Sequence, residues 1–587
     1  MTGRARILCG ILAIASAVAL AAAADDDAAL RDHARAALRK AVEFYRTSVS
    51  THGGYHFAYT EDLSYGRSEM SETPTRVELQ RDGTPLVGMA YLDTYEATRD
   101  RYYLEAARDV ARTLLKGQYC SGGWDYYIEF DPAKRGQFPY RADGPCAEAA
   151  GERRPTTFDD NVTQAAVRLL MRVDRDLDFK DGAIHEATRF ALDSLIKAQF
   201  PNGAWPQRYA RFPDPSAFPI KAASYPESWP RTWPGSAYYA HYTFNDNSIV
   251  DLIDAMLEAA RIYKEPRYLA SAEKGGAFIL LAQMPEPQPG WAQQYDRDMH
   301  PAWARQFEPP SVTGGESQSV MRTLLLLYRE TGNRKYLEPL PRALAYYRRS
   351  ILPEVENPSE IRRRACPGRT PCLARFYELK TNRPLYITKG TRVTALDRGT
   401  TTVDGYEVSY SDASVITHYG VLTSGAGFAD IEREYGEMQR ATPGSLRRPE
   451  RLHGLSPWSG GRAPVGWSDE GRGGGGGNLE KRVRQVIDAM DSRGAWIEEG
   501  TIGKSNRLVS VFAAKDLVVT LGGKPLQMKE NDTLEVFSGG EPPKQRIIRS
   551  RTFVQNIGVL SAFVARSSTR TQASAPATSP SVSPRQP

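Results

Sequence analysis

At 587 residues, 41% hydrophobic and 25% charged, the chain is too long for one small core and has the composition of a soluble enzyme. The formal net charge is only +6, and no basic run interleaves with aromatics along a strand or helix, which argues against a nucleic-acid partner. A small positive excess is compatible with an anionic substrate but does not specify one.

The first residues, Met1-Thr2-Gly3-Arg4-Ala5-Arg6, are basic; Ile7 to Leu20 is apolar; Ala21 to Ala24 is a run of small residues ahead of Asp25. This order predicts a secretory signal peptide over residues 1–24, cleaved near Ala24, and a secreted or periplasmic protein with no membrane attachment afterwards. The apolar run is short for a bilayer span, and Asp25-Asp26-Asp27 follows at once. Arg4 and Arg6 leave with the signal, taking the formal charge from +6 to +4. Cys9 leaves too. The remaining Cys120, Cys146, Cys366 and Cys372 are an even set in an exported chain and predict two disulfides. Proximity favours Cys120 with Cys146 and Cys366 with Cys372, out of three arrangements; a zinc site is the weaker alternative, since no histidine stands at ligand spacing.

A long repeat follows. Thr98-Arg99-Asp100-Arg101-Tyr102-Tyr103-Leu104 opens a helical stretch that ends near Gly122-Gly123-Trp124-Asp125. A second copy runs through Ile196-Lys197-Ala198-Gln199 to Gly203-Ala204-Trp205-Pro206-Gln207, and a third from Glu265-Pro266-Arg267-Tyr268-Leu269 to Pro289-Gly290-Trp291. A fourth starts at Thr331-Gly332-Asn333 and runs through Tyr347. Apolar residues at helical spacing, with loops ending in Gly and Trp, predict stacked helical hairpins. The expected fold is all-α, an incomplete α/α barrel, or toroid, with a small β-rich insertion toward the C-terminus. Long loops at 125–156 and 201–243 favour a ring with one working face over an open solenoid. Core packing is the expectation for Trp124 and Trp291, while Trp205, beside Pro206-Gln207, is either packing or a platform for stacking a sugar ring.

Two motifs open inner helices on that face: Thr157-Phe158-Asp159-Asp160-Asn161 and Thr243-Phe244-Asn245-Asp246-Asn247. Helix capping accounts for one Asp or Asn per helix, not for the whole motif twice. Oxygen donors returned to equivalent positions suit a hard cation such as calcium. Beyond residue 384 the pattern changes. Tyr386-Ile387-Thr388 and Thr391 to Ala395 flank Lys389-Gly390 as a hairpin, 455–478 is a Gly-rich loop, helix returns at Leu479–Asp491, 507–538 alternates like strands, and a last helix covers Phe553–Val564. The domain reading is therefore signal 1–24, toroid 25–384, insertion with closing helices 385–566, and a disordered Ser/Thr/Pro/Ala tail 567–587.

There is no phosphate loop, no Gly-x-Gly-x-x-Gly after a strand and no His-Glu-x-x-His, and none of the eight histidines falls in the repeated motifs. The distinctive polar segments are Trp303 to Pro310 and Ala374 to Pro384, whose arginines suit bidentate binding of carboxylates.

Seven segments, in order, give the chain its resemblance to a known family. They are Gly83-Thr84-Pro85-Leu86-Val87-Gly88, Ser121 to Trp124, Thr157 to Asn161, Gly203 to Gln207, Thr243 to Asn247, Pro301 to Pro310, and Arg375-Phe376-Tyr377-Glu378 with Thr381-Asn382-Arg383-Pro384. Together they resemble the family ten polysaccharide lyases, which are pectate lyases. The resemblance is close over about residues 80–390 and looser over Arg482–Gly500 and Arg549–Phe563. It implies calcium held near Asp160, Asn161 and Asp246, bridging to the carboxylates of a polygalacturonate substrate. Arg305 and Arg375 look like the family's substrate-binding arginines, with Arg375 expected to take part in catalysis. Arg383, Trp205 and Asn247 are further candidates for substrate contact, and a monomer with no other partner is expected. The family's proton-abstracting arginine falls on Lys389, where this chain departs from the pattern. A lysine is chemically able to serve, since its free pKa of about 10.4 falls near other cations; Arg392 is the alternative. Two further readings stand beside the lyase. One is a toroidal glycoside hydrolase with Asp160 and Asp246 as its acid pair, and the other is a non-catalytic pectin-binding protein.

Overall fold

The computed structural model describes residues 26–80, 82–146, 155–235, 238–239, 241–393, 402–412, 415–416, 419–442, 445, 476–502, 507–512, 517–521, 524–528, 533–538 and 543–573. The expected signal peptide, most of the Gly-rich loop and the tail beyond 573 lie outside the described residues.

Twelve helices carry the architecture among the described residues. They are α1 (26–44), α2 (Thr84–Thr98), α3 (Arg101–Lys116), α4 (Val162–Asp176), α5 (Gly182–Ala198), α6 (Ser248–Tyr263), α7 (Pro266–Leu281), α8 (Glu316–Thr331), α9 (Leu340–Arg349), α10 (Ala426–Arg440), α11 (Gly476–Asp488) and α12 (Ser550–Ala573). The hairpin turns follow from local chemistry. Arg99, Lys264 and Gly332 take the left-handed conformation that ends a helix, and Asp100 and Asn333 then accept backbone N–H groups to start the next turn.

Inner and outer helices differ in how they are buried. α4 and α6 are buried on almost every face, whereas α3 is buried on one stripe. Consecutive inner helices α2, α4, α6 and α8 pack side by side, with α3, α5, α7 and α9 outside them. Charges inside this inner layer are paired: Arg168, 1% exposed, meets Asp254 at 2.6 Å, and Arg172 meets Glu258 at 2.5 Å, tying α4 to α6. The arrangement is the incomplete α/α toroid expected from the repeat.

Its working end is built from the same small parts each time. A two-residue strand precedes each inner helix and pairs with the loop leaving the next outer helix: Thr157 opposite Arg208, Thr243 opposite Gln294, Thr313 opposite Phe376. Trp124, Trp205 and Trp291 have no exposed surface, and each indole N–H donates to a carbonyl of the preceding outer helix, Leu114, Leu195 and Ile279. Beside them Gln118, Gln199 and Gln283 each bridge their own loop to the next outer element, donating to Gly122 and Ala187, to Gly203 and Ser271, and to Pro289 and Pro339.

The first and last described elements meet. Trp496 is a fourth copy of the tryptophan, its indole donating to Val486 of α11, and Gly494 abuts the Lys40 carbonyl of α1. α12 packs on α2, with Thr94 and Ser561 hydroxyls 3.1 Å apart, and a four-stranded sheet joins Ile497–Gly500 and Gln545–Arg549 to Ala58–Thr60 and Gly66–Arg67. The insertion is β-rich as expected, with Arg507–Phe512 paired to Thr533–Ser538 and Leu517–Leu521 to Lys524–Met528. Three elements differ from the sequence reading. The hairpin expected to turn at Lys389-Gly390 is instead one continuous strand, Pro384–Val393, paired with Thr402–Ser409. Helix α10 was not expected, and α12 continues to Ala573, inside the segment expected to be disordered from 567. No proline interrupts that run before Pro576, so the helix has no local stop. The disulfides are Cys120–Cys146 and Cys366–Cys372, each with Cα atoms 5.5 Å apart. No helix among the described residues is long and apolar enough to cross a membrane.

Candidate active site

The two repeated motifs fold into the same strained turn. Asp160 (φ 49°, ψ 26°) and Asn161 (φ 61°, ψ 25°) are both left-handed, and so are Asp246 (φ 48°, ψ 29°) and Asn247 (φ 61°, ψ 17°). Consecutive left-handed residues other than glycine are costly, and Asp and Asn carry that cost best. The turns re-aim the Asp side chain away from the helix that follows. Phe158 and Phe244, both buried, anchor the turns, and their N–H groups donate to Gln207 and Gln293.

The result is a convergence of acids. One carboxylate oxygen from each of Asp159, Asp160 and Asp246 lies within 4.8 Å of the others. Asp160 accepts from Gln80 at 2.7 Å, and Asp246 from Asn245 at 2.7 Å. Asp159 is held hardest, accepting from Tyr126 at 2.7 Å, Arg208 at 3.0 Å and Gln207 at 3.1 Å. Burial, then Asp159 and Glu69, push the Asp160 pKa up to about 6, against the pull of Gln80 and Arg305. Asp246 keeps an open edge but sits against protein that displaces water; that loss of solvent, with Asp159 and Asp160, pushes it up to about 8. Three converging carboxylates, two of them with raised pKa values, offer only oxygen and fit a hard divalent metal ion.

Two guanidiniums border the acids. Arg375, under the Tyr419 ring at 4.2 Å, donates to Glu316 at 2.5 Å and to Asn245 at 3.3 Å. Arg305 grips Glu308 with two hydrogen bonds, of 2.9 and 2.7 Å, and its side chain remains 39% exposed. Burial alone would lower both arginine pKa values, but Glu308 and Glu316 more than offset it, so both cations are held firmly charged. Glu308 is fixed in turn by Tyr419 at 2.6 Å and Gln293 at 2.8 Å.

A model of the pectic acid lyase family matches residues 140–404, which span both acidic motifs and both arginines. The match covers less than half of the chain, and over it the chain is similar to the pectic acid lyase family. No curated protein matches the chain. Among solved structures, the family 10 polysaccharide lyase from Cellvibrio cellulosa is similar at 19% identity over 56% of this chain and 91% of that one, with a TM-score of 0.39. A mutant of that lyase in complex with trigalaturonic acid is similar at 20% identity over 59% and 98%, also at 0.39. A GH76 alpha-mannanase of Bacteroides thetaiotaomicron is similar at 8% identity over 92% and 96%, at 0.34.

Within the pectic acid lyase region, the structure gathers Asp160, Asp246, Arg305 and Arg375, with Asn161 and Asn247 next to the acids in each turn. Asn161 is 8% exposed and Asn247 half-buried. Trp205 does not serve as a stacking platform: it has no exposed surface and its N–H is committed to Leu195, so the packing reading holds. Arg383 is separate from the acids, its guanidinium 3.4 Å from the Tyr410 ring centre. Lys389 and Arg392 lie in the strand Pro384–Val393, opposite Tyr406 and Val403, and their side chains fall outside the described residues. Tyr406 packs edge-on against Phe307, which brings this ribbon to the Arg305 loop. Sequence reading missed Asp159, because its counterpart in the second motif is Asn245. It also missed Gln80, 80 residues from the acid it orients, for which no local signal existed.

Proposed function

We propose that the chain is an exported, calcium-dependent pectate lyase that cuts α-1,4-linked polygalacturonate by β-elimination and leaves unsaturated oligogalacturonides. The observation that carries this reading is the convergence of Asp159, Asp160 and Asp246 beside the paired cations Arg305 and Arg375, within the region that matches the pectic acid lyase family. Asp160 and Asp246 would hold calcium, with Asp159 and Asn161 at its margin. When bound, calcium neutralises the uronate carboxylate and makes the C5 proton more acidic.

The chain's own residues supply the rest. Arg375 and the open face of Arg305 bind uronate carboxylates and stabilise the negative charge that builds as C5 loses its proton. A base removes that proton, the C4–C5 double bond forms as the C4–O4 bond breaks, and the departing oxygen takes up a proton. Lys389 is the base we assign first, on family register and on the contact between its strand partner and the Arg305 loop. A second assignment is Arg305, the described cation that both influences Asp160 and Asp246 and stays open to solvent; it requires substrate to loosen the Glu308 pairing that otherwise holds this guanidinium charged. The basic-then-apolar start of the sequence and the two disulfides support export.

A glycoside hydrolase needs two carboxylates flanking the bond, about 5–5.5 Å apart for retention and about 6.5–9.5 Å apart for inversion. Here three converge on one point instead. Incubation with polygalacturonate decides between these readings. Elimination yields an ultraviolet-absorbing unsaturated product, and new reducing ends without that absorbance would replace the lyase with a hydrolase.

A further inference from the structure

A second arginine-rich face adjoins the site and takes no part in the chemistry above. The loop around residues 229–233 is bolted to the segment ahead of Arg305 by two indoles. Trp303 donates to the Pro230 carbonyl at 2.8 Å, and Trp233 donates to the Ala304 carbonyl at 2.7 Å. On the outer side of this loop Arg231 lies over the Trp229 ring, 4.1 Å from its centre, with its side chain 52% exposed. Its guanidinium pairs with Glu378, which also accepts from Thr381 and, at 2.7 Å, from the Tyr410 hydroxyl. Tyr410 is 43% exposed and carries the Arg383 guanidinium on its ring.

Glu378 has 3% of its surface exposed and is saturated by donors, so it fixes Arg231 and Tyr410 without presenting negative charge to solvent. Arg383 pairs with no carboxylate among the described residues. The face therefore offers two oriented guanidiniums with a surplus of positive charge, next to the exposed Tyr410 ring and the half-buried Trp229 ring, each covered on one face by an arginine. Rings bind the apolar face of a pyranose, and guanidiniums bind a carboxylate through two parallel hydrogen bonds. A uronate presents both at once, whereas a neutral sugar leaves the cations unmatched.

We infer that Trp229, Arg231, Arg383 and Tyr410 form a distal subsite that grips a uronate residue of an extended acidic chain whose scissile bond lies at the Asp160–Asp246 cleft. The inference rests on the proposed lyase reading and predicts a preference for long substrates. The test compares parent, Trp229→Ala, Arg231→Gln and Arg383→Gln in kcat/KM on polygalacturonate and on trigalacturonate. Binding of each protein to polygalacturonate in excess chelator is followed in parallel by affinity electrophoresis, with neutral dextran as control. The subsite predicts that the polymer-to-trimer ratio of kcat/KM falls about tenfold in the variants, through KM, and that retardation by polygalacturonate weakens while dextran has no effect. Arg383→Gln leaves the Glu378 cluster intact, so its result does not depend on local folding. An active parent whose variants keep the same ratio and the same retardation overturns the subsite. A parent that binds polygalacturonate through these residues yet makes no unsaturated product overturns the lyase reading and leaves the subsite standing.

Discussion

Asp160 and Asp246 hold almost the same φ and ψ, 86 residues apart, and the cost of that turn is repaid where their carboxylates meet. The raised pKa values give the sign of a pH effect. Without a cation, the folded state keeps protons on these acids that the unfolded chain releases near pH 4. Stability is therefore lost as pH rises from about 4 toward 6 for Asp160 and 8 for Asp246. Calcium must displace those protons, so its stabilising effect grows with pH. Thermal unfolding should show a larger calcium-induced rise in Tm at pH 8 than at pH 5, and Asp246→Asn should remove most of the difference. The base is tested by kinetics in three variants. Lys389→Ala should lower kcat by a factor of about 100 or more with KM little changed. Loss of the same size in Arg305→Ala, with Lys389→Ala near parent, would move the base to Arg305. A dead Arg392→Ala alone would move it to Arg392. At this scale the sequence showed the acids, because both copies keep the Asp in register. It did not show Asp159, whose partner position is an Asn, nor Glu308 and Tyr419, which reach Arg305 only through folding.

The helical hairpins were legible because turn chemistry, caps and apolar spacing agree in every copy. The tryptophans explain where that reading overreached. Trp205 sits in a motif beside the cleft in sequence, yet its indole N–H points back into the preceding helix exactly as many residues away, ten, as that of Trp124. Trp205→Ala should therefore destabilise the fold by about 3–5 kcal/mol, measured by chemical denaturation. A stacking residue would show weakened substrate binding with stability unchanged. Gly203 belongs to the same device: at φ +99°, a Cβ would lie 1.9 Å from the Lys274 carbonyl, so no other side chain fits between the loop and α7. The fourth copy, Gly494-Ala495-Trp496, escaped notice because about 200 residues, including the strand pair Pro384–Val393 and Thr402–Ser409 and the Gly-rich loop, separate it from the third. Helix α10 escaped for a different reason: it lies in the half of the chain where the repeat spacing is lost.

Over the whole molecule the ring brings residues distant in sequence to one rim. Gln80, Asp160, Asp246, Arg305 and Arg375 come from five separate segments, so the site is a property of the toroid rather than of any one motif. The terminal segments complete the same structure, with α1 and α12 packed against the elements that open and close the repeat. On the proposed reading, the two repeated turns build one cation site that drives elimination. The most direct measurement is the initial rate of ultraviolet-absorbing product from polygalacturonate as free calcium is varied, in the parent and in Asp160→Ala and Asp246→Asn. The expected result is a saturable calcium dependence in the parent, no rate in excess chelator, and loss of at least about a hundredfold in both variants while each remains folded. Full activity in chelator, or in either variant, would contradict it.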